Sequence, residues 1–400
     1  MRIVSVCRQV PRPDNPAAGT SVVNRVAAMS RVADVTMIQP VPYMPLVRPL
    51  PAWAAEGERR VGELVVAQAP MFYIPGVFKF ADPWWLERAV APRVRALHAS
   101  APVDVIDGHF AYPDGVGCVT LARRLGVSSF ITIRGVEVEQ LKIPGKRARI
   151  VAAMRAATGC ISVSHSLKKV AVDHGVPEEQ ITVIHNAIDT RTFSRGDKGA
   201  ARAALGVQAD ADLIVSVGYL VSGKRHHLLI EAFARVLRNR PGGQLVIVGG
   251  ASFEPAYPAQ LQRLAHDLGV ADRVRFAGNI PADQVARWLH AADVFALATE
   301  REGCCNAVLE ALATGLPVVT TPAGDNAHFV KDGVNGLLFP IDDVPALAAA
   351  LEQALKMSWD ADRISQGLNA QVGSWDRVAE KVLAYMRERR EGIAGLREAA

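Results

Sequence analysis

The chain has 400 residues, of which half are apolar and about a fifth charged, enough for two sizeable cores in a globular protein. Its formal charge of +5 is mild, without the dense basic patch of a nucleic-acid binder, and it suits an anionic substrate or a loose hold on an anionic membrane surface. Five cysteines without CxxC spacing argue against a disulfide framework or zinc site and fit a reducing compartment, and no apolar run is long enough to span a bilayer.

The first half alternates strands and helices. Arg2–Val6 reads as a strand, and a loop ending in Ala18-Gly19-Thr20-Ser21 leads into a helix to about Arg31. Val35–Ile38 is the second strand, and Pro40 to Pro51, with five prolines, reads as a loop. Leu64–Val66 and Asp104–Ile106 are strand-like, and Pro83–His98 is a helix carrying Trp84 and Trp85. Ser129–Ile133 ends in Arg134-Gly135; Ile150–Ala157, Cys160–Val163, Ser166–Asp173 and Ile181–Ile184 continue the rhythm. The polar stretch Thr190–Gly199 interrupts it and is expected to be the interdomain linker.

The pattern then restarts. Leu213–Val217, Gln244–Val248, Val274–Phe276, Val294–Leu297 and Val318–Thr320 read as strands, with helices at 225–239, 259–268 and 282–290 between them. An Ala-rich helix over Val344–Leu355 follows, and Asp376–Arg390 is amphipathic, with Val378, Val382, Leu383 and Met386 on one face. Alternation of this kind predicts an α/β fold of two doubly wound, Rossmann-like domains, with ligands at the carboxyl ends of the strands.

Chemistry concentrates in Arg301–Val319, REGCCNAVLEALATGLPVV. It places Glu302 and Gly303 in a loop, Asn306 at a helix start and Glu310 one turn inside, while Gly315 and Pro317 end the helix. Unpaired N–H groups and the dipole at such an end hold phosphate or sugar oxygens, and two flanking carboxylates call for hydroxyls. Gly218 to Arg225 has the GxxxxGK spacing after a strand, but Arg225 replaces the magnesium-binding hydroxyl of a P-loop. What remains is Lys224 beside a helix start, a clamp for a diphosphate without a metal.

Asp210-Ala211-Asp212 precedes a strand and reads as a turn, His226-His227 as surface or partly buried residues, and the histidines form no metal-ligating pattern. Arg134 and His109 follow strands in the first half and so face the ligand side; Arg134 could pair with a phosphate or a developing negative charge, or merely form a surface salt bridge. His109 is an acceptor-side candidate, with a hydrogen-bonded structural role as the alternative. Gly19 would let backbone approach a ligand closely. The Trp84-Trp85 helix, with Arg88, Arg93 and Arg95, could lie against a membrane or simply be core.

These residues together resemble retaining glycosyltransferases of family 4, which have the GT-B architecture of two Rossmann-like domains facing a central cleft. Glu302-Gly303, Asn306, Glu310-Ala311 and Gly315-Leu316-Pro317-Val318-Val319 look like the family's EGxxNxxxEA…GxPVV signature. Val217 to Leu220 with Lys224 resembles its phosphate-binding loop. Ile184 to Asp189 with Phe193 resembles its interdomain segment, and Asp332 to Leu338 a further one. DGHFAYPDG and ITIRG are similar to the bacterial surface-polysaccharide subgroup.

The resemblance implies domains at 1–193 (acceptor side) and 194–373 (donor side), with 374–400 crossing back onto the first. It implies a nucleotide-diphosphate sugar as donor, a saccharide or lipid-linked saccharide as acceptor, no bound metal or other cofactor, and no nucleic acid. Glu310 would take the ribose hydroxyls and Lys224 the diphosphate. Glu302 and the backbone from Gly303 through Cys304 and Cys305 to Asn306 would take sugar hydroxyls and the leaving phosphate. Gly218 would line the donor site. Lys224, Glu302 and Arg134 are the expected catalytic residues.

Tyr219 stands where the family usually has Arg, so Arg225 is expected to compensate; the family often has His where Arg134 stands. Gly324-Asp325-Asn326-Ala327-His328 lacks the usual proline and glutamate, and Ala187 replaces a glycine. A sugar-nucleotide epimerase or phosphorylase, or a non-catalytic sugar-nucleotide binder, remains an alternative on the same fold. A cytoplasmic protein, peripheral at the inner face of the membrane, is expected.

Overall fold

The computed structural model describes residues 1–16, 18–74, 79–251 and 254–398. The chain divides into two compact units, Met1–Ala187 with Trp375–Ala400, and Ile188–Ser374. The division falls after Ala187, earlier than the expected 193, because Ile188 and Phe193 are buried in the core of the second unit.

The first unit contains β1 (Arg2–Val6), β2 (Asp34–Tyr43), β3 (Glu58–Val61), β4 (Leu64–Phe72), β5 (Val105–His109), β6 (Ser128–Ile133), β7 (Gly159–Ser162) and β8 (Ile181–Val183). They form one sheet in the order β3-β4-β2-β1-β5-β6-β7-β8, in which only β3 is antiparallel to its neighbour. The second unit contains β9 (Leu213–Val217), β10 (Gln244–Val248), β11 (Val274–Gly278), β12 (Val294–Leu297), β13 (Val318–Thr320) and β14 (Gly336–Leu338). Its order is β11-β10-β9-β12-β13-β14, all parallel. Both sheets are doubly wound, as the alternation predicts.

Several elements differ from the sequence reading. β2 runs through Pro40 and Pro42 instead of ending at Ile38. The Ile38 carbonyl faces β1, accepting from Cys7 N, whereas the Tyr43 carbonyl faces the other way, accepting from Tyr73 N. Even-numbered residues of β2 therefore point toward β1, whose pairing stops at Ile38. The two prolines, which have no N–H, occupy positions with no strand partner on that side. The β3–β4 hairpin, turning at Gly62 with φ +57°, has no counterpart in the sequence reading. The helix expected from Ile150 begins at Pro144, where a missing N–H costs nothing.

The Trp375–Glu398 helix belongs to the first unit. Its Trp375, Val378, Ala379, Val382, Leu383 and Met386 pack with Ile3, Met29, Phe130 and Ile184. Each large side chain buried this way contributes about 1.5–3 kcal/mol.

In each sheet the strand order reverses beside the first strand: between β1 and β5, and between β9 and β12. At such a switch point adjacent loops diverge to opposite faces and leave a crevice at the carboxyl ends. Gly19 and His109 lie in the segments at the first of these places, with Arg134 on the next strand, and Lys224, Glu302 and Glu310 follow the strands of the second.

Candidate active site

In the second unit, β9 leads into Gly218, whose N–H donates to the Val248 carbonyl at 2.9 Å. Gly249 approaches so closely that a Cβ there would sit 1.8 Å from the Gly218 oxygen, which only glycine permits. Ser222–Lys224 makes one turn of 3₁₀ helix, Arg225 takes a left-handed conformation, and the His226–Asn239 helix begins.

From this loop Lys224 reaches across to the loop after β12, where its Nζ lies 2.5 Å from Glu302 Oε1. Burial opposes the charge on Lys224, but the Glu302 carboxylate outweighs it and raises the ammonium pKa. The Glu302 loop is fixed by its backbone: Glu300 N donates to the Gly223 carbonyl at 3.1 Å, and Thr299 Oγ1 donates to the same oxygen. Thr321 Oγ1 donates to the Thr299 carbonyl. Gly324, at φ +61°, brings a third loop against this one; a Cβ there would lie 2.5 Å from the Glu302 carbonyl oxygen.

Gly303, Cys304 and Cys305 then lead into the Asn306–Ala313 helix, which no side chain caps. Its first turn therefore offers N–H groups and the positive dipole end beside Lys224 and Glu302. Cys305 is buried and its thiol pKa is driven far up by burial and by Glu302, so a thiolate there is disfavoured. Glu310 lies one turn inside, half-buried, and among the described residues its carboxylate has no hydrogen-bond or ionic partner. Burial alone pushes its carboxyl up to about 7.

Two expectations for this region need correction. Arg225 does not stand free as a replacement diphosphate cation. Its guanidinium is bound to Glu300 and lies 3.1 Å from Asp342, so it ties loops together. His226 is 1% exposed rather than at the surface, because the left-handed turn at Arg225 swings it beneath Lys224. Its ring lies against the Gly218 and Tyr219 backbone, and burial followed by Lys224 pushes its pKa down to about 4. Asp212 holds Arg240 by two contacts of 2.9 Å, a structural turn as expected. Asn326 is buried and donates to Thr320 Oγ1 and the Thr321 carbonyl, a packing role that supports the Gly324 loop.

In the first unit, Gly19 has φ +67° and precedes the Thr20–Ser30 helix; a Cβ there would lie 1.9 Å from the Gln9 oxygen. Arg134, after β6, reaches toward this helix. Its Nη1 lies 3.4 Å from Ser21 Oγ and 3.3 Å from Asn186 Oδ1, and its Nη2 lies 3.4 Å from His109 Nδ1. All three are neutral acceptors, and among the described residues no carboxylate pairs with Arg134, so it is not the surface salt bridge of the alternative reading.

His109 is the last residue of β5 and is fully buried, so it presents no surface to an acceptor. Because a guanidinium only donates, Nδ1 must be unprotonated and Nε2 carries the hydrogen. Nε2 lies 2.8 Å from Ser5 Oγ and 3.3 Å from Asp107 Oδ2, which also binds Arg25 at 2.6 Å. Burial, then Arg25 and Arg134, hold the His109 pKa well below its usual value, so the ring is neutral. His109 thus supports Arg134 from behind.

Glu137 was not singled out from the sequence. It is buried and accepts from Ala111 N, Arg134 N and Gly135 N, stapling the β5 and β6 loops together. Its only sequence signal is a carboxylate three residues after Arg134.

Residues 197–371 match the family model described as "Glycosyl transferases group 1", and residues 47–192 match "Glycosyltransferase Family 4". A D-inositol 3-phosphate glycosyltransferase of Frankia alni is 30% identical over 325 residues, covering 76% of this chain and 79% of that protein. The lipopolysaccharide core biosynthesis glycosyltransferase LpsE of Rhizobium meliloti is 36% identical over 203 residues, 50% of this chain and 56% of that one. Among solved structures, Anabaena HepE in complex with UDP matches with a TM-score of 0.75 and 19% identity, covering 97% of this chain and all of that one. Sucrose-phosphate synthase from Thermosynechococcus elongatus matches with a TM-score of 0.78 and 20% identity, covering 98% of this chain and 100% of that one. The two-unit doubly wound fold and these matches together establish that the chain belongs to glycosyltransferase family 4, with the GT-B fold.

Proposed function

We propose that this glycosyltransferase moves a hexosyl group from a nucleotide-diphosphate sugar to a saccharide or lipid-linked saccharide, with retention at the anomeric carbon, in bacterial polysaccharide or glycoconjugate synthesis. The observation that carries the reading is the Lys224–Glu302 pair at the β9–β12 switch point, beside an uncapped helix N-terminus and Glu310, whose carboxylate has no partner among the described residues. A diphosphate needs donors and positive charge, and a sugar and a ribose need carboxylate acceptors. This group supplies both within one crevice.

The relatives support the same class. HepE has been solved with UDP-glucose, LpsE is named for the lipopolysaccharide core, and the Frankia protein for a phosphorylated polyol.

In the reaction, the bond from the anomeric carbon to the diphosphate oxygen breaks, and the acceptor oxygen bonds to that carbon on the same face. The acceptor's proton passes to the departing phosphate oxygen. Negative charge grows on the leaving group, so Lys224 and the helix N-terminus stabilise the transition state more than the ground state. Lys224 has three N–H donors and can span Glu302 and a phosphate oxygen together. Positive charge for the diphosphate thus comes from the chain itself, and the proposed reaction uses no bound metal. Arg134, held by neutral groups only, is the first unit's cation for a developing negative charge. Glu310 takes the ribose hydroxyls.

A thermal-shift panel of UDP-, GDP- and ADP-sugars tests the reading, since a ligand that binds only the folded chain raises its melting temperature. One base is expected to give a clear rise, followed by acceptor-dependent release of the nucleoside diphosphate. A flat response to every donor would overturn it.

A further inference from the structure

The Asp82–Ser100 helix follows β4 and the Pro144–Ala156 helix follows β6. Both strands are parallel to their sheet neighbours β2 and β5, so both helices begin at the carboxyl pole of the first unit's sheet. At that pole Phe80 (57% exposed), Trp84 (45%) and Ile143 (47%) stand in solvent, as do Leu46 and Val47 in the loop after β2 and Val136 after β6.

Two of them carry a cation. The Arg88 guanidinium lies 4.8 Å from the Trp84 ring centre, and that of Arg149 lies 5.7 Å from Phe80, whose carbonyl accepts from Arg149 Nη1. The segment Lys142-Ile143-Pro144-Gly145-Lys146-Arg147-Ala148-Arg149 has four basic residues and no acidic one. Among the acids nearby, Asp82 opens the first helix and faces Tyr112, Glu87 is buried against Arg124, Glu137 is buried on backbone N–H groups, and Glu139 pairs with Lys142.

The arrangement differs from a whole Trp84-Trp85 helix lying on a membrane. Trp85 turns inward against Phe72, with ring centres 5.0 Å apart, and Arg93 is bound to Glu58.

We infer that Phe80, Trp84 and Ile143, with Arg88, Lys146 and Arg149 around them, form a docking surface for an anionic lipid bilayer. Rings capped by guanidinium groups suit the headgroup layer, where an aromatic body meets the acyl boundary and the charge meets phosphate. Each basic residue held near an anionic surface strengthens attachment about fivefold. Charge complementarity selects the occupant, because an uncharged protein partner would leave this basic rim unmatched. The surface gives the proposed function its partner: it would hold the first unit where a lipid-linked acceptor resides.

Co-sedimentation with vesicles tests the surface, using the whole protein with phosphatidylcholine alone and with phosphatidylglycerol mixed in. Attachment is expected to the anionic vesicles and to weaken with salt. F80S/W84S and K146Q/R149Q should each weaken it, the latter by about 25-fold from the loss of two cations at about fivefold each. Brominated lipid should quench tryptophan emission in the wild type but less in W84F, which retains an aromatic ring and should still attach. The thermal shift with a nucleotide sugar shows that each variant is folded. Equal attachment to neutral vesicles, attachment that ignores F80S/W84S, or quenching unchanged in W84F would each overturn the surface. Donor binding without vesicle attachment sinks this inference alone, whereas attachment without any donor binding sinks the proposed function alone.

Discussion

Lys224 Nζ and Glu302 Oε1 are 2.5 Å apart, joining the loop after β9 to the loop after β12 at the reversal of strand order. The two residues are 78 positions apart in the chain. Lys224→Ala removes both the diphosphate cation and the partner of a carboxylate that is only 10% exposed. Turnover should fall by roughly 10²–10³-fold, as when a transition-state donor is lost. Stability should fall by about 1–3 kcal/mol, because Glu302 is left largely buried without its cation. Adding Glu302→Gln should restore most of the melting temperature and none of the turnover. A double variant as active as wild type would remove Lys224 from the chemistry.

Gly324 offers a test that separates contact from conformation. Gly324 and Gly333 both have positive φ, at +61° and +70°. A Cβ at Gly324 would strike the Glu302 backbone at 2.5 Å, whereas nothing lies within 4 Å of one at Gly333. Alanine should cost about 1 kcal/mol at Gly333 from backbone strain, and clearly more at Gly324. Only Gly324→Ala should raise KM for the donor, since it displaces the loop bearing Glu302. Equal melting temperatures and equal KM values for the two variants would show that the Gly324 contact carries no weight.

The Arg301–Val319 stretch is legible in the sequence because its signals are local: Gly303 before the helix, Asn306 at its start, Gly315 and Pro317 at its end. Lys224 is legible for the same reason, as a strand, a glycine-containing loop and a lysine in succession. Arg225 is not, since its fate is set by Glu300 and Asp342, which only the sheet order brings near. The depth of His109 depends on β5 running to its last residue, and that of His226 on one left-handed turn. The path of β2 through two prolines depends on where β1 stops pairing, which no local pattern in β2 records.

Glu310 has a carboxyl pKa of about 7 in the folded chain against 4.5 for an ordinary glutamate, with burial as the cause. Between these values the folded state binds more protons than the unfolded one, so this group makes stability fall as pH rises from about 4.5 to 7. Glu310→Gln should flatten that part of the profile and raise the melting temperature at pH 8. If the carboxylate accepts ribose hydroxyls, donor affinity in the wild type should rise with pH through about 7, and Glu310→Gln should bind weakly at every pH. Calorimetric titration of the nucleotide at several pH values measures this. Unchanged affinity in Glu310→Gln would place the ribose elsewhere.

His226 acts on stability with the opposite sign. Its folded-state pKa of about 4 lies below the ordinary 6.5, from burial first and Lys224 second. Between these values the unfolded chain binds the extra proton, so the contribution of His226 makes stability fall as pH drops from 6.5 toward 4. Other buried groups also titrate in this range, so the comparison between variants isolates the residue. His226→Leu removes a buried, neutral titratable ring and puts an apolar side chain of similar size in its place. The melting curves of variant and wild type should therefore diverge as the pH falls below 6.5, with the variant relatively more stable, and the gap should stop widening near pH 4. Donor KM should change little at pH 8, where the wild-type ring is already neutral. A gap that does not depend on pH would mean that the ring keeps an ordinary pKa and is not sealed beneath Lys224.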